Sequence, residues 1–517
     1  MGERSRAALV ILLVSGVLML PLALGPERVN DSFWIDWVWL DQFARQVAAG
    51  DLYPRWLPLS HGGLGSPVFI YYPPLSFHLG SLFVLAGTST WGGVVGAFWA
   101  ALAGSGLAMW RWLLALQARR PLAGALLFMA APYHLINLTA RGALAEFAAT
   151  ALLPLLALGL LWCLREGGRR GPVTLALAYG ALIMTHLPVA LLASLFLVGP
   201  WLVWEIRTRA AWTRAAPALA IGIGLAAIFL FPALALEGAR DAAELWADPK
   251  YQPRNWTLWA PGRISAGAFL LFGSAAVASA WACGMLLLDR RSVLAAGALL
   301  LSGLAVGLVP WLWQAPLLQA VQFPFRLLTI VEFLVATAVA LAPLPTIRLV
   351  IAVTPWLSLA IVHAQASSRT SMKFEQVARD YPDVPENLPP GEWPYSWPSD
   401  FALQLARRHA GPVTRNGVTL EPRFYFPGVE VRCKGRAVPA FMDPGTGLLA
   451  HHGTGGCGVT EVRTQPERVG NALTLAALLA LLVWCWKLGK VDARRGFEPR
   501  LTESESVVLP LDDRARA

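Results

Sequence analysis

Residues 30–74 read NDSFWIDWVWLDQFARQVAAGDLYPRWLPLSHGGLGSPVFIYYPP and form the first long polar interruption after an apolar N-terminal run. The stretch is too polar to cross a bilayer and too aromatic for a solvated loop. The run before it, residues 7–24, follows Arg4 and Arg6 and has the length of a first transmembrane helix. Its end, LPLALG, also resembles a leader cleavage site, but the many apolar segments downstream favour a retained helix, and either reading places Asn30 outside. Residues 74–87, which follow the stretch, are apolar but too short to span comfortably at about 1.5 Å per residue. If they crossed, Arg119 and Arg120 behind the next run, 91–116, would lie outside. A membrane-lying or re-entrant helix at 74–87 keeps those arginines in the cytoplasm, as charge bias requires.

Composition agrees with this frame. The chain has 517 residues, 56% hydrophobic and 14% charged, with mean hydropathy +0.52, against roughly a quarter charged for soluble domains. This is the composition of a polytopic membrane protein. A net charge of +10 is then first an orientation signal, and nucleic acid is not expected as a partner. Further spans are expected at 121–137, 143–164, 172–186, 188–205, 215–236, 264–288, 292–312, 325–342, 346–363 and 470–486. Their inner turns carry Arg165, Arg169 and Arg170; Arg207, Arg209 and Arg214; Arg290 and Arg291; Arg348; and Lys487, Lys490, Arg494 and Arg495. Every inner turn is basic, which predicts about twelve spans with both termini cytoplasmic.

The expected organisation is a transmembrane domain over 1–363, with its first outer loop at 26–90, and an extracytoplasmic domain over 364–468. A last transmembrane helix over 469–490 and a polar cytoplasmic tail over 491–517 follow. A second outer region, 237–263, carries tryptophans suited to the interface. The larger insertion is proline-rich at YPDVPENLPPGEWPYSWP and then alternates as strands do at RFYFPGVEVRCKGRAVPAF, so a small domain of substantial β content is expected. Cys433 and Cys457 both fall in it and are candidates for a structural disulfide, whereas Cys163, Cys283 and Cys485 fall in spans as small apolar residues. No CxxC, His-rich or HExxH spacing demands a metal.

Helical spacing over 33–49 places Phe33, Trp37, Leu40, Ala44 and Val47 on one stripe, with Asp36 at its edge and Arg45 on the far side. That pattern predicts an amphipathic helix at the outer membrane surface. Asp31, Asp36 and Asp41 could simply solvate such a helix; the company of Asp36 raises it. Arg141, Glu146, His186, Glu237, Arg326 and Glu332 all lie near the outer ends of different spans, where ionisable groups are costly and face a partner or a cavity. Singly, each reads as a snorkelling arginine, a paired acid or a satisfied histidine. Together they suggest a polar cavity open to the outer leaflet, with carboxylates as bases and arginines for phosphate.

The acid at Asp36, followed by GDLYPRW, GLGSPVFIYYPPL, TARGALAE, THLP, QFPFR and FYFPG, resembles bacterial membrane proteins of the YfhO type, related to the 6-pyruvoyl-tetrahydropterin synthase-related membrane domain. No soluble pterin-synthase metal motif is present, so that label implies nothing about pterins. More broadly, the arrangement is similar to the GT-C superfamily of polyprenyl-phosphate-sugar glycosyltransferases. The resemblance implies an all-α, GT-C-like polytopic protein of a bacterial inner membrane. It would transfer a sugar from a polyprenyl-phosphate-linked donor to an envelope glycan, lipid or protein at the extracytoplasmic face, in contact with membrane lipid. It assigns Asp36 as base or metal ligand. Ile35 and Trp37 flank Asp36 where a paired acid would stand, and the nearest histidine is His61, so dependence on a divalent metal stays open. Phosphate binding falls to Arg141 and Arg326, and positioning to Glu146, His186 or Glu332. Two other classes are a transporter or lipid flippase, which would carry midplane charges and internal repeats, and a non-catalytic envelope scaffold.

Overall fold

The computed structural model describes residues 2–29, 31–166, 168–241, 248–260, 266–288, 292–365, 383–390, 411–453 and 455–494. The chain enters through α1 (Glu3–Ala23), then α2 (Phe33–Ala48), the short α3 (Leu75–Leu85) and the long α4 (Thr90–Ala115). Next come α5 (Pro121–Met129) and α6 (Pro132–Ile136), each opened by a proline at its first position, where the missing N–H costs nothing. A π turn, Asn137–Arg141, closes this span before α7 (Leu144–Arg165). Beyond it lie α8 (Arg170–Thr185), α9 (Leu187–Ala193), α10 (Ala216–Leu225), α11 (Ala227–Ala235), α12 (Ala266–Leu287), α13 (Val293–Ala305), α14 (Leu328–Leu341) and α15 (Thr346–Gln365). The last helix, α16, is Gln465–Arg494.

Among the described residues, eight helices are long and apolar enough to cross a membrane, or nine if α10 and α11, bent by 66°, count as one span with the turn before them. Three segments assigned to spans from the sequence, α8, α13 and α15, fall outside that set. At 11 residues, α3 is about 16 Å long, half a bilayer core, and it lies against α2 and α4. Helix α7 is the hub, buried on nearly every side. Gly159 and Gly171 bring it against α8: a Cβ at Gly159 would lie 2.5 Å from the Leu175 nitrogen, so only small residues permit this approach. By contrast, α16 exposes Leu473, Leu475, Leu478, Leu479 and Leu482, the surface of a lipid-facing helix.

The seven strands are β1 (Val413–Arg415), β2 (Val418–Phe424), β3 (Val429–Cys433), β4 (Arg436–Val438), β5 (Ala440–Met442), β6 (Leu448–His451) and β7 (Cys457–Glu461). They form two antiparallel sheets, ordered β1-β2-β6-β5 and β4-β3-β7. Cys433 and Cys457 sit opposite one another on β3 and β7 and are joined by a disulfide. The larger sheet docks on the Gly/Pro-rich half of the opening stretch: the Phe424 N–H donates to the Leu64 carbonyl at 2.8 Å, and Trp56, Leu64 and Ile70 share a core with Leu420, Phe424 and Phe426.

This docking corrects the expectation for α2. Its polar side does not face water: Asp36, Asp41 and Gln42 are buried together with the apolar stripe, while Arg45 stays exposed as expected. The polar side is covered because Gln42 accepts from the Leu59 N–H, Thr90 donates to Asp41, and Trp39 donates its indole N–H to Asp383 at 2.8 Å. The inner-turn Arg290, Arg291 and Arg495, most of the proline-rich run after Pro390, and the tail from 495 lie outside the described residues.

Candidate functional site

The site forms where the N-terminus of α2 meets the turn between α6 and α7. Gly142, at φ +63°, reverses the chain there, and any Cβ on it would collide with the Phe33 ring of α2. The Ser32 N–H donates to the Arg141 carbonyl at 2.9 Å, which fixes the two segments together. In this arrangement Asp36 Oδ2 accepts the N–H of Leu144, the first residue of α7, at 3.2 Å. Asp36 is 2% exposed. Burial holds its carboxyl well above the usual carboxylate range; the Leu144 N–H opposes this and the nearby Asp31 charge reinforces it.

Glu146 is 1% exposed and stands three positions into α7, where the helix dipole favours a negative charge. Its Oε2 accepts from Arg141 Nη1 at 2.8 Å and from Arg326 Nε at 3.2 Å, and its Oε1 accepts from the Tyr133 hydroxyl. Arg141 Nη1 also reaches Asn137 Oδ1 at 2.7 Å, and Arg326 Nη1 donates to the Val321 carbonyl at 2.7 Å. The QFPFR run supplies aromatic faces to both cations: Arg141 lies 5.4 Å from the Phe325 ring and Arg326 lies 4.8 Å from the Phe323 ring. Two arginines thus share one buried carboxylate. The second acid near Arg141, Asp31 at 3.7 Å, is 47% exposed and therefore screened. Among the described residues, the Nη2 groups of Arg141 and Arg326 have no hydrogen-bond partner.

The other candidates fall around this centre. His186 caps α9, its Nδ1 accepting the Val189 N–H at 3.2 Å, which leaves the proton on Nε2; its charge interactions are with Arg326, Glu146 and Arg141. Glu332 is one layer removed. Its two oxygens accept the backbone N–H groups of Tyr133 and His134 at 2.6 and 3.1 Å, so it caps α6 and sets the position of the Tyr133 hydroxyl. Asp36, Arg141, Glu146, His186 and Arg326 therefore converge, and Glu332 acts on them through Tyr133.

Sequence reading missed Tyr133, Asn137 and Tyr72. The first two were accessible from the sequence: Tyr133, Asn137 and Arg141 recur every four residues, the spacing of one helical face. Tyr72 was not. It packs edge-on to Trp39 at 4.9 Å and lies in the field of Asp36, Arg326, Glu146 and Arg141, a placement made by the long loop alone.

Around Asp36 the described side chains do not supply three ligands to a metal ion. The group of three potential ligands found among the described residues is Cys433, His451 and Cys457. There the two sulfurs are bonded to each other, His451 Nδ1 accepts the Gly453 N–H, and His451 Nε2 pairs with Glu421 at 3.0 Å. Neither place has the open donor set of a metal centre.

Fold and site together define a polytopic membrane protein with a buried arginine–carboxylate cluster where several spans end. Residues 69–375 match the family described as "6-pyruvoyl-tetrahydropterin synthase related domain; membrane protein". The match takes in more than half of the chain, and the chain belongs to that family. Among solved structures it is similar to the arabinofuranosyltransferase AftD from Mycobacteria, at 20% identity and TM-score 0.44 over 70% of this chain. It is also similar to the oligosaccharyltransferase AglB from Archaeoglobus fulgidus, solved with an inhibitory peptide and a dolichol-phosphate, at 13% identity and TM-score 0.33 over 77% of this chain and 62% of that one. The chain spans about a quarter (27%) of the AftD chain. No curated protein matches it.

Proposed function

We propose that this protein is a GT-C-type glycosyltransferase of the bacterial inner membrane. It moves a hexosyl or pentosyl group from a polyprenyl-phosphate-linked donor to an envelope acceptor at the extracytoplasmic face. The observation that carries this reading is the pair Arg141 and Arg326. They come from different spans, share the single carboxylate of Glu146, and each keep one Nη2 donor with no hydrogen-bond partner among the described residues. A surplus of buried positive charge with free donors is a seat for an anion, and a lipid phosphate delivers one at a bilayer.

In this reaction the acceptor hydroxyl gives its proton to the Asp36 carboxylate as its oxygen attacks the anomeric carbon. The bond from that carbon to the phosphate oxygen breaks, and polyprenyl phosphate leaves with its new charge held by the two arginines. Burial raises the affinity of Asp36 for a proton, which makes its carboxylate a stronger base than an exposed one. Glu146 and Tyr133 hold Arg141 in place, and His186 Nε2–H is a further donor toward the phosphate.

The test is consumption of hexosyl and pentosyl polyprenyl phosphates by the purified protein in nanodiscs, read as released polyprenyl phosphate. Asn caps a helix as well as Asp does, so Asp36→Asn keeps the bond to Leu144 but removes the base; its rate should fall by roughly 10²–10⁴ with the melting temperature retained. Asp36→Ala should lose about 1 kcal/mol of stability as well. Wild-type turnover by Asp36→Asn would remove the base assignment, and failure of the wild type to consume any of these donors would remove the transferase reading.

A further inference from the structure

A cavity of about 300 Å³ lies away from the arginine cluster, where four segments meet: the loop after α2, the start of α11, the β2–β3 turn with the end of β7, and the first turns of α16. We propose that this cavity binds a neutral saccharide.

Its charges are balanced and already paired. Arg55 Nε meets Glu467 at 3.0 Å, and Arg423 Nη2 meets Glu461 at 3.3 Å. Arg463 and Asp51 complete three cations and three carboxylates on the wall. No net charge remains to select an ion, unlike the cluster at Glu146. What the wall does present is carboxylate acceptors beside guanidinium donors, held in fixed directions. Neighbouring hydroxyls of a sugar, each both donor and acceptor, satisfy that pattern on both sides, whereas an anion would meet three carboxylates.

The apolar part of the wall fits the same ligand. Trp56 and Phe426 stand with ring centroids 6.3 Å apart, and Arg423 lies 4.5 Å over the Trp56 ring, which holds the guanidinium flat. Aromatic carbon beside fixed polar groups matches a molecule whose C–H surface alternates with hydroxyls. The volume is at the lower end of small-ligand pockets, roughly 300–1,000 Å³, which suits one or two sugar rings rather than a polymer. If the chain transfers sugars, this saccharide would belong to the acceptor; that last clause rests on the transferase reading, whereas the binding itself does not.

Saturation-transfer NMR on the full-length protein in nanodiscs tests it, with a set of neutral methyl pyranosides and methyl furanosides as probes and sodium pyrophosphate as the ionic competitor. At least one glycoside should bind, without displacement by pyrophosphate. The side chains of Asp51 and Arg463 are exposed, so Asp51→Asn with Arg463→Gln should leave the fold intact while weakening binding by roughly tenfold, the worth of one charge-assisted hydrogen bond. Absence of glycoside binding, binding unchanged in the double variant, or displacement by pyrophosphate would each overturn the proposal. Because the readout is equilibrium binding, it stands or falls independently of sugar transfer, which the Asp36→Asn assay decides.

Discussion

Arg326 Nε donates to Glu146 Oε2 at 3.2 Å across 180 positions of sequence, and this contact closes the site between α7 and the entrance to α14. With Arg141 on the same oxygen, the stability of three spans depends on one carboxylate. Removing one member of a buried charge network leaves the others uncompensated, at a cost of about 3–5 kcal/mol. Glu146→Ala should therefore lower the melting temperature in detergent sharply, and more than Asp41→Ala, whose partner Arg45 is exposed. Equal melting temperatures would mean that the two arginines are neutralised elsewhere.

The turn at Gly142 permits no side chain, since it combines a left-handed backbone with contact to Phe33. Gly142→Ala should cost at least about 1–2 kcal/mol from the backbone alone. Because the turn sets Asp36 against Leu144, any residual folded protein should also lose donor turnover. Melting temperature and turnover measured on one preparation check both.

His61 predicts an acid-sensitive junction between the opening stretch and the β sheets. It is buried against the Phe424 ring with both ring nitrogens unpartnered, and burial lowers its pKa to about 3. The unfolded chain, near 6.5, then binds more protons than the folded one between pH 6.5 and 3, so stability is full above about 6.5 and falls as pH drops. At pH 5 the loss is roughly 2 kcal/mol, from about 1.4 per unit. Asp383, which accepts the Trp39 indole N–H and the Val384 N–H, is pushed up to about 6 by burial and acts in the opposite direction as pH falls. Comparison with His61→Asn isolates the histidine, because Asn tolerates the left-handed backbone at φ +50°. The fall in melting temperature from pH 7.5 to 5 should be smaller in the variant; an equal fall would assign it to other groups.

Orientation has its own check. A cysteine at Ala118, in the basic turn after α4, should be shielded in intact cells from an impermeant maleimide, while one at Gly445, between β5 and β6, should react. Reaction at Ala118 would mean that α3 crosses the membrane after all.

Much of this molecule was legible because hydropathy, helix length and the placement of arginines are additive along a chain. They marked a polytopic membrane protein, read 74–87 as too short to cross, and placed Arg141, Glu146, His186, Glu237, Arg326 and Glu332 near the same ends of their spans, with Asp36 on the helix before them. The four-residue recurrence of Tyr133, Asn137 and Arg141 was equally local and could have been read. The sequence could not show which of those ends touch. Glu332 reads like Glu146 from the sequence, yet it caps a backbone while Glu146 joins two arginines. Likewise α2 has the pattern of a surface helix but lies buried, because the Gly/Pro run and the Asp383 segment fold over it. The contacts of Glu146 with Arg326, of Glu332 with Tyr133 and of Trp39 with Asp383 join groups more than 100 residues apart. Their energy depends on distance and shared solvent exclusion, quantities that exist only once the spans have packed.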